Sequence, residues 1–188
     1  MTFTDDLHLA VDTMRKGGII LYPTDTVWGI GCDATCHEAI RRIFALKRRD
    51  DAKAMISLVG SMEMLREVAS EVSDDVMELI EDERPTTVIF HDVKLLDPAL
   101  RSADGSAAIR LTREKYSAGL CLRLGRPVVS TSANISGMPP AATYEAIDPA
   151  IVNGVDYAAS YRRDDHSESQ PSRIIMVMPD KSLKVIRE

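Results

Sequence analysis

Short apolar runs alternate with amphipathic segments along most of this chain, and this alternation restricts the fold more than any other feature. Runs such as 86–90 and 107–111 have the composition of buried strands, whereas in 37–48 apolar residues recur every three or four positions. A run of β-branched residues is typical of a strand and a period of 3.6 residues is typical of a helix. Interleaved strands and helices predict an α/β domain in which helices pack against a largely buried, twisted sheet and polar loops follow the strand ends.

The first helix is predicted on Leu7, Ala10, Val11 and Met14, and it ends at Gly17-Gly18. Further helices are predicted at 37–48, 62–69, 72–80 and 115–124, one helical turn at 143–147, and strands at 18–22, 55–59, 86–90, 107–111, 127–130, 155–158, 174–178 and 183–186. A length of 188 residues is that of one domain.

Composition excludes several classes of protein. With 45% apolar and 28% charged residues, the chain is neither disordered, collagen-like nor a coiled coil. No apolar run approaches the roughly 20 residues that cross a bilayer, and the N-terminus is acidic, so we expect no membrane association and a cytoplasmic location. Three cysteines cannot all pair within one chain, and the spacing of Cys32, Cys36 and His37 is not that of a zinc site, so reduced thiols are expected.

The net charge of −6 is unevenly distributed. Residues 63–83 carry nine acidic side chains and one basic one, which is typical of a solvated helical face. Two windows, 41–53 and 110–126, are basic and together could line an anion site.

Three segments combine residue types that bind ligands. Residues 22–31, Tyr-Pro-Thr-Asp-Thr-Val-Trp-Gly-Ile-Gly, follow a predicted strand and suit close backbone approach with several hydroxyls, although a turn in which Asp25 caps local amides explains them equally well. Lys47, Arg49 and Lys53 could converge on a phosphate, or they could be a solvated helix end that complements the helix dipole. Residues 130–137, Ser-Thr-Ser-Ala-Asn-Ile-Ser-Gly, place four hydroxyls and an amide after an apolar strand, as a helix N-cap or a small-ligand cradle would.

Other familiar motifs are missing from the sequence. It contains no Walker-type phosphate loop, no dinucleotide fingerprint at the start of a helix and no Gly-x-Ser-x-Gly elbow. The common kinase, dehydrogenase and esterase interpretations are therefore not supported.

In this order, the three segments resemble the YrdC-like domain of the threonylcarbamoyl-adenylate synthase family. The matching motifs are the segment 22–31, Lys-x-Arg-x-x-x-Lys at 47–53 and Ser-Thr-Ser-Ala-Asn-x-Ser-Gly at 130–137. The resemblance implies a single YrdC-like domain over residues 1–188, with a twisted mixed sheet flanked by helices and a concave basic face that binds ligands.

The resemblance also implies an activity. The family condenses L-threonine with bicarbonate or carbon dioxide and transfers the resulting carbamate to ATP, which gives L-threonylcarbamoyl-AMP and pyrophosphate for the threonylcarbamoyladenosine modification of tRNA. Mg²⁺ is expected with ATP, held mostly by phosphate oxygens and water. Threonylcarbamoyl transferase proteins are the expected partners, and tRNA or double-stranded RNA is a possible one.

By the same resemblance, the ATP-binding residues would be Lys47, Arg49, Lys53, Ser132, Asn134 and Arg187. The threonine-binding residues would be Thr24, Thr26, Arg110, Ser130 and Ser172, with Arg110 on the carboxylate. No residue is assigned as a nucleophile or a metal ligand.

This chain departs from the family pattern at several positions. The usual Pro-Gly-Pro-x-Thr turn reads Glu83-Arg84-Pro85-Thr86-Thr87, and Ala54 stands where a proline commonly follows the basic motif. Leu58 and Glu114 stand where many members have histidines. These departures leave a non-catalytic paralogue as an alternative. A module that binds double-stranded RNA or tRNA, and a related enzyme that makes carbamoyl adenylate, are the other two.

Overall fold

The structure is a computed structural model that describes residues 1–49, 55–82, 84–167 and 171–188. Its helices are α1 (Phe3–Arg15), α2 (His37–Lys47), α3 (Met62–Val68), α4 (Asp74–Glu81), α5 (Lys115–Leu124) and α6 (Pro149–Gly154). Its strands are β1 (Ile20–Tyr22), β2 (Gly29–Gly31), β3 (Ile56–Val59), β4 (Thr86–Phe90), β5 (Ala107–Leu111), β6 (Val128–Ser132), β7 (Tyr157–Ala158), β8 (Arg173–Val177) and β9 (Leu183–Arg187). Short 3₁₀ turns lie at Pro98–Leu100 and Tyr144–Ala146.

The strands of the described residues form one mixed sheet in the order β7-β1-β2-β6-β3-β5-β4-β8-β9. The pairs β1–β7, β3–β5 and β4–β8 are parallel, and the other neighbours are antiparallel. The α/β class and the mixed sheet that the sequence predicts are confirmed.

The two faces of the central strands have different neighbours. Ser57, Val88 and Ile109 are buried, and helices α3, α4 and α5 pack on these strands. Successive side chains of a strand point to opposite faces. Ile56 and Ile89, which alternate with these residues, are only partly buried and line a cavity. The helices therefore cover one face of the sheet and leave part of the other open to a ligand.

Helix α1 is amphipathic in the way the sequence predicts. Its buried Leu7, Ala10, Val11 and Met14 recur at helical spacing, and the helix packs against α5. Asp6 on the same helix is 1% exposed, and its carboxylate accepts hydrogen bonds from the Ser160 and Tyr161 amides at 3.0 and 2.8 Å and from the Tyr157 hydroxyl. This carboxylate fastens the chain just before Arg162 to the first helix.

One strand and one α-helix lie outside the sequence-based prediction. Strand β2 forms within the predicted ligand loop, because its short Gly-Ile-Gly segment pairs with β1 on one side and β6 on the other. Helix α6 was not predicted, because Ile151 is its only buried residue and gives no period to detect. Asp148 caps α6 by accepting a hydrogen bond of 2.8 Å from the Ala150 amide.

Candidate functional site

A cavity of about 420 Å³ lies on the open face of the sheet, beside the ends of several strands. Its polar lining consists of Thr24, Thr26, Arg49, Arg110, Ser130, Thr131, Ser132, Ser172 and Arg187, and its apolar lining includes Val27, Met55, Ile56, Ile89, Ala108 and Ile174. Such a mixture of an apolar floor with converging hydroxyls and cations is typical of a site for a small anionic ligand. Two larger grooves, of about 610 and 500 Å³, border α4. The first is lined by carboxylates and apolar side chains, and the second, which includes Arg66 and Lys181, contains none of the predicted ligand-binding residues.

The loop between β1 and β2 brings two threonines to the cavity. The Thr24 hydroxyl donates to the Val27 carbonyl at 2.7 Å and accepts from the Thr26 amide at 3.0 Å, while the two threonine hydroxyls lie 3.1 Å apart. Each hydroxyl is thereby held in place by its own loop. The resulting turn presents Thr26 to a ligand in a defined orientation.

The glycines at the end of this loop allow close packing. A Cβ atom on Gly29 would lie 3.1 Å from Thr24 Cγ2 and 3.3 Å from Ser130 Oγ, and one on Gly31 would lie 2.7 Å from Tyr22 Cε1. Any larger residue would push the loop between β1 and β2 away from β6. Close approach of the backbone is therefore the reason for glycine here.

Arg110 on β5 is the most deeply buried cation of the cavity lining. Its side chain is 4% exposed, and Nη2 lies 2.9 Å from Oδ1 of Asp25. That oxygen has no hydrogen bond of good geometry among the described residues, and neither has Arg110 Nε. The pair is thus held by charge, and Nε is a buried donor without a partner among the described residues. Asp25 pairs with this arginine instead of capping local amides, as the turn interpretation required.

Ser172 is held from two sides. Its hydroxyl lies 2.9 Å from that of Thr87 on β4, and its carbonyl accepts hydrogen bonds from Arg187 Nη2 at 2.7 Å and Nε at 3.1 Å. Arg187 also lines the cavity. The last strand therefore orients a residue predicted for threonine as well as supplying a cation predicted for ATP.

The cationic side chains at the end of α2 lie in different places. Lys47 is 1% exposed, and its ammonium donates to the carbonyls of Ser132 and of Asn134, the latter at 2.7 Å. Burial, together with the smaller effect of the nearby charge of Arg49, lowers the pKa of Lys47 to about 8. Arg48 adopts a left-handed conformation with φ 51°, after which Arg49 lines the cavity. Burial also lowers the pKa of Arg49.

Asn134 shapes its own loop. Its amide nitrogen donates to the Ile135 and Met138 carbonyls at 3.0 and 2.6 Å, while its Oδ1 is buried without a partner among the described residues. Its side chain therefore closes the turn after β6.

Arg162 supports the loop that carries Thr24, and sequence reasoning missed it. Its guanidinium donates to the Thr24 carbonyl at 3.1 Å and to Asp165 at 2.7 Å, and it lies 3.7 Å from Glu114. Glu114, one of the departures from the family pattern, also caps α5 by accepting from the Tyr116 and Ser117 amides at 3.0 and 2.8 Å. No sequence signal links these residues, because they are distant in the chain.

The structure brings together most of the predicted site. Of the predicted ligand-binding residues, Thr24, Thr26, Arg49, Arg110, Ser130, Ser132, Ser172 and Arg187 line the cavity. Lys47 and Asn134 are not among the lining residues and hold the loop after β6. Lys53 lies outside the described residues, as do Ala54 and Glu83.

Neither a metal-binding cluster nor a membrane-spanning helix is found in the described part of the chain. Within it, no three His, Cys, Asp or Glu side chains are grouped so that they could hold a metal ion. Across those same ranges, no helix is both long and apolar enough to span a bilayer.

Comparison with known proteins gives consistent matches. The Sua5/YciO/YrdC family model, described as telomere recombination, matches residues 12–188. A threonylcarbamoyl-AMP synthase of Xanthomonas euvesicatoria pv. vesicatoria (strain 85-10), an enzyme by its name, is 36% identical over 163 residues, which cover 83% of this chain and 86% of the relative.

Solved structures share the fold. Escherichia coli YciO superposes with a TM-score of 0.83 at 23% identity, and the match covers all of this chain and 90% of the YciO chain. Pyrococcus abyssi Sua5 complexed with L-threonine has a TM-score of 0.85 at 22% identity, and this chain spans about half (54%) of its length. With the family model matched from residue 12 to residue 188, the chain belongs to the Sua5/YciO/YrdC family.

Proposed function

We propose that this protein is an L-threonylcarbamoyladenylate synthase, which forms L-threonylcarbamoyl-AMP and pyrophosphate from L-threonine, bicarbonate or carbon dioxide, and ATP. The observation that carries the proposal is the single cavity in which Arg110 and several hydroxyls lie beside Arg49, Ser132 and Arg187. Curated relatives that bear this enzyme's name, and a related fold complexed with L-threonine, support it.

In this proposal, threonine occupies the end of the cavity at Arg110. The guanidinium of Arg110 suits the amino acid carboxylate, since an arginine–carboxylate pair is charge-assisted. Thr24, Thr26, Ser130 and Ser172 would orient the hydroxyl and amino groups.

ATP occupies the end formed by α2, β6 and β9. Arg49 and Arg187 would face the phosphates, and Ser132 would contact the nucleotide. Lys53 remains part of this proposal on the resemblance of the basic motif alone. The broader expectation of a basic concave face stays a prediction, since Asp25 offsets the charge of Arg110.

The proposed chemistry needs alignment more than a protein nucleophile. The threonine amine forms a C–N bond to carbon dioxide and releases a proton, and a carbamate oxygen then bonds to the α-phosphorus of ATP while the bond to pyrophosphate breaks. Holding the reactants in line removes much of the entropic barrier, and arginines stabilise the charge that develops on the leaving pyrophosphate.

Magnesium is proposed to arrive with ATP. The described lining residues offer hydroxyls and cations but no carboxylate, so the donor set suits an ion held by phosphate oxygens and water. Mg²⁺ would neutralise phosphate charge during the transfer.

The proposed product is an activated group for tRNA. We propose that the protein supplies it in the cytoplasm to threonylcarbamoyl transferase partners, and that RNA is recognised by those partners. The net charge of −6 argues against a surface that binds RNA through phosphates.

The test is pyrophosphate release by the purified protein with ATP and Mg²⁺, with and without L-threonine and bicarbonate, followed by mass detection of the adenylate. We expect release only when both co-substrates are present, and little with D-threonine. A folded protein that binds ATP but releases no pyrophosphate would instead favour a non-catalytic relative. Tight, strongly salt-dependent binding of double-stranded RNA by the same preparation would favour an RNA-binding module.

A further inference from the structure

The ammonium of Lys47 lies between two segments of the cavity wall. It donates to the carbonyls of Ser132 and Asn134, and the Ser136 amide donates back to the Lys47 carbonyl at 2.8 Å. These bonds join the end of α2 to residues 132–136, which we call the hydroxyl loop. The loop and the helix end therefore cannot move independently.

The backbone separates Lys47 from the cavity. After the left-handed Arg48, the Arg49 amide donates to the Phe44 carbonyl at 3.0 Å, and the chain turns so that Arg49 reaches the cavity. Ser132 reaches the same cavity from the loop. Lys47 lies behind both and is 1% exposed.

A buried lysine is costly, and this one has an unusual set of partners. Within the described ranges, the contacts of its ammonium are backbone carbonyls and include no carboxylate. Burial disfavours the charged form, as the lowered pKa of about 8 indicates, so an apolar side chain would avoid that cost. What an apolar side chain could not do is hold two carbonyls of the loop at once.

We propose that Lys47 is a positioning residue, which holds Ser132 at a set distance from Arg49 without touching the nucleotide. The proposal rests on the ATP site proposed above. It gives Lys47 a different role from that of Arg49 in the same motif, since one cation orders the wall and the other faces the ligand.

The first test needs no variant. Wild-type protein is treated with an amine-acetylating reagent at pH 7.5, with and without ATP and Mg²⁺, and labelled lysines are quantified by mass spectrometry. We expect Lys47 to stay unlabelled in both samples while the exposed Lys184 reacts. A low pKa would make an accessible Lys47 more reactive than Lys184, so rapid labelling that ATP suppresses would overturn the proposal.

The second test compares Lys47→Met, Lys47→Arg and the exposed control Lys94→Met. In Lys47→Met we expect amide hydrogen exchange in 133–138 to become at least about tenfold faster and the Kd for ATP to rise about tenfold, the range expected for lost charged hydrogen bonds. Lys47→Arg should restore much of both, because a guanidinium can donate to two carbonyls, and Lys94→Met should match wild type.

The outcomes separate the positioning role of Lys47 from the proposed function of the protein. Weaker ATP binding with unchanged exchange in 133–138 would make Lys47 a direct ligand contact, and unchanged binding would remove any role in the site. If Lys47→Met fails to fold, the labelling experiment with wild-type protein still decides. If wild-type protein binds no ATP, the proposed function fails, while exchange still reports whether Lys47 orders the hydroxyl loop.

Discussion

At the scale of single residues, the cavity depends on buried charges with different partners. Arg110 is opposed by a carboxylate, whereas Lys47 is bonded only to carbonyls among the described residues. A buried ion pair fixes the orientation of a cation, and its removal leaves an uncompensated charge. These two side chains therefore differ in what their substitution should change.

Arg110→Ala tests the proposed carboxylate contact. We expect the KM for L-threonine to rise about 10- to 100-fold, as for the loss of a charged hydrogen bond, with a much smaller change in the KM for ATP. Steady-state pyrophosphate release measures both constants. The nearby exposed Arg113→Ala should behave like wild type, and equal increases in both constants for Arg110→Ala would contradict the assigned role.

Lys47 should make stability depend on pH. Its pKa falls from an ordinary 10.5 to about 8 in the folded protein, so between these values the unfolded chain holds more protons. The destabilisation caused by burying the charged ammonium is therefore complete below pH 8. As pH rises from about 8 to 10.5, this group adds up to about 1.4 kcal/mol to the free energy of unfolding per pH unit.

Urea unfolding of wild type and Lys47→Met from pH 7.5 to 9.5 measures this effect. We expect the free energy of unfolding of wild type to increase relative to that of the variant as pH rises. Parallel curves for the two proteins would show that Lys47 does not titrate in this range.

At the scale of elements, the polar groups of the cavity lie on strands and at helix ends. Strands β5 and β6 carry Arg110, Ser130 and Ser132 on the open face of the sheet, and the end of α2 provides Arg49. Glu114 at the start of α5 joins this helix to Arg162, which in turn holds the Thr24 carbonyl. A departure from the family pattern thus has a structural role here.

Glu114→Ala should weaken the start of α5. Loss of the two capping hydrogen bonds is expected to lower the free energy of unfolding by about 1 kcal/mol, the usual cost of removing an N-cap. Denaturant unfolding provides the measurement, with Arg123→Ala on the exposed side of the same helix as the control. A variant as stable as wild type would show that the cap contributes nothing.

At the scale of the whole molecule, one mixed sheet supports a ligand site on its open face. A ligand that binds only the folded state raises stability in proportion to the logarithm of its concentration. At about 100 times its Kd, ATP with Mg²⁺ should add about 2.7 kcal/mol, which corresponds to a rise of about 5–10 °C in Tm for a chain of this size.

Thermal unfolding with each ligand separately tests whether both sites lie in this cavity. We expect Arg110→Ala to lose the shift caused by L-threonine and to retain the shift caused by ATP. The absence of any shift in wild type with either ligand would argue against the proposed site.

Periodicity in the sequence predicted the elements that bury a regular apolar face. Helix α1, with Leu7, Ala10, Val11 and Met14, and strand β4 were predicted close to their observed bounds, because burial itself imposes the pattern. Strand β2 and helix α6 escaped prediction, since the first depends on pairing with two neighbours and the second buries only Ile151.

For the cavity, too, some features follow from the sequence and others only from the tertiary structure. The sequence by itself determined the α/β class and the residue types of the three motifs, because hydrophobic period, turn residues and local hydroxyl clusters are properties of neighbouring residues. Only the tertiary structure decided that Asp25 opposes Arg110, that Arg162 holds Thr24 and that Lys47 lies beneath the hydroxyl loop instead of in the cavity. These contacts join residues far apart in the chain, and the physical reason is that the sheet order and the left-handed turn at Arg48 set which way each charge faces.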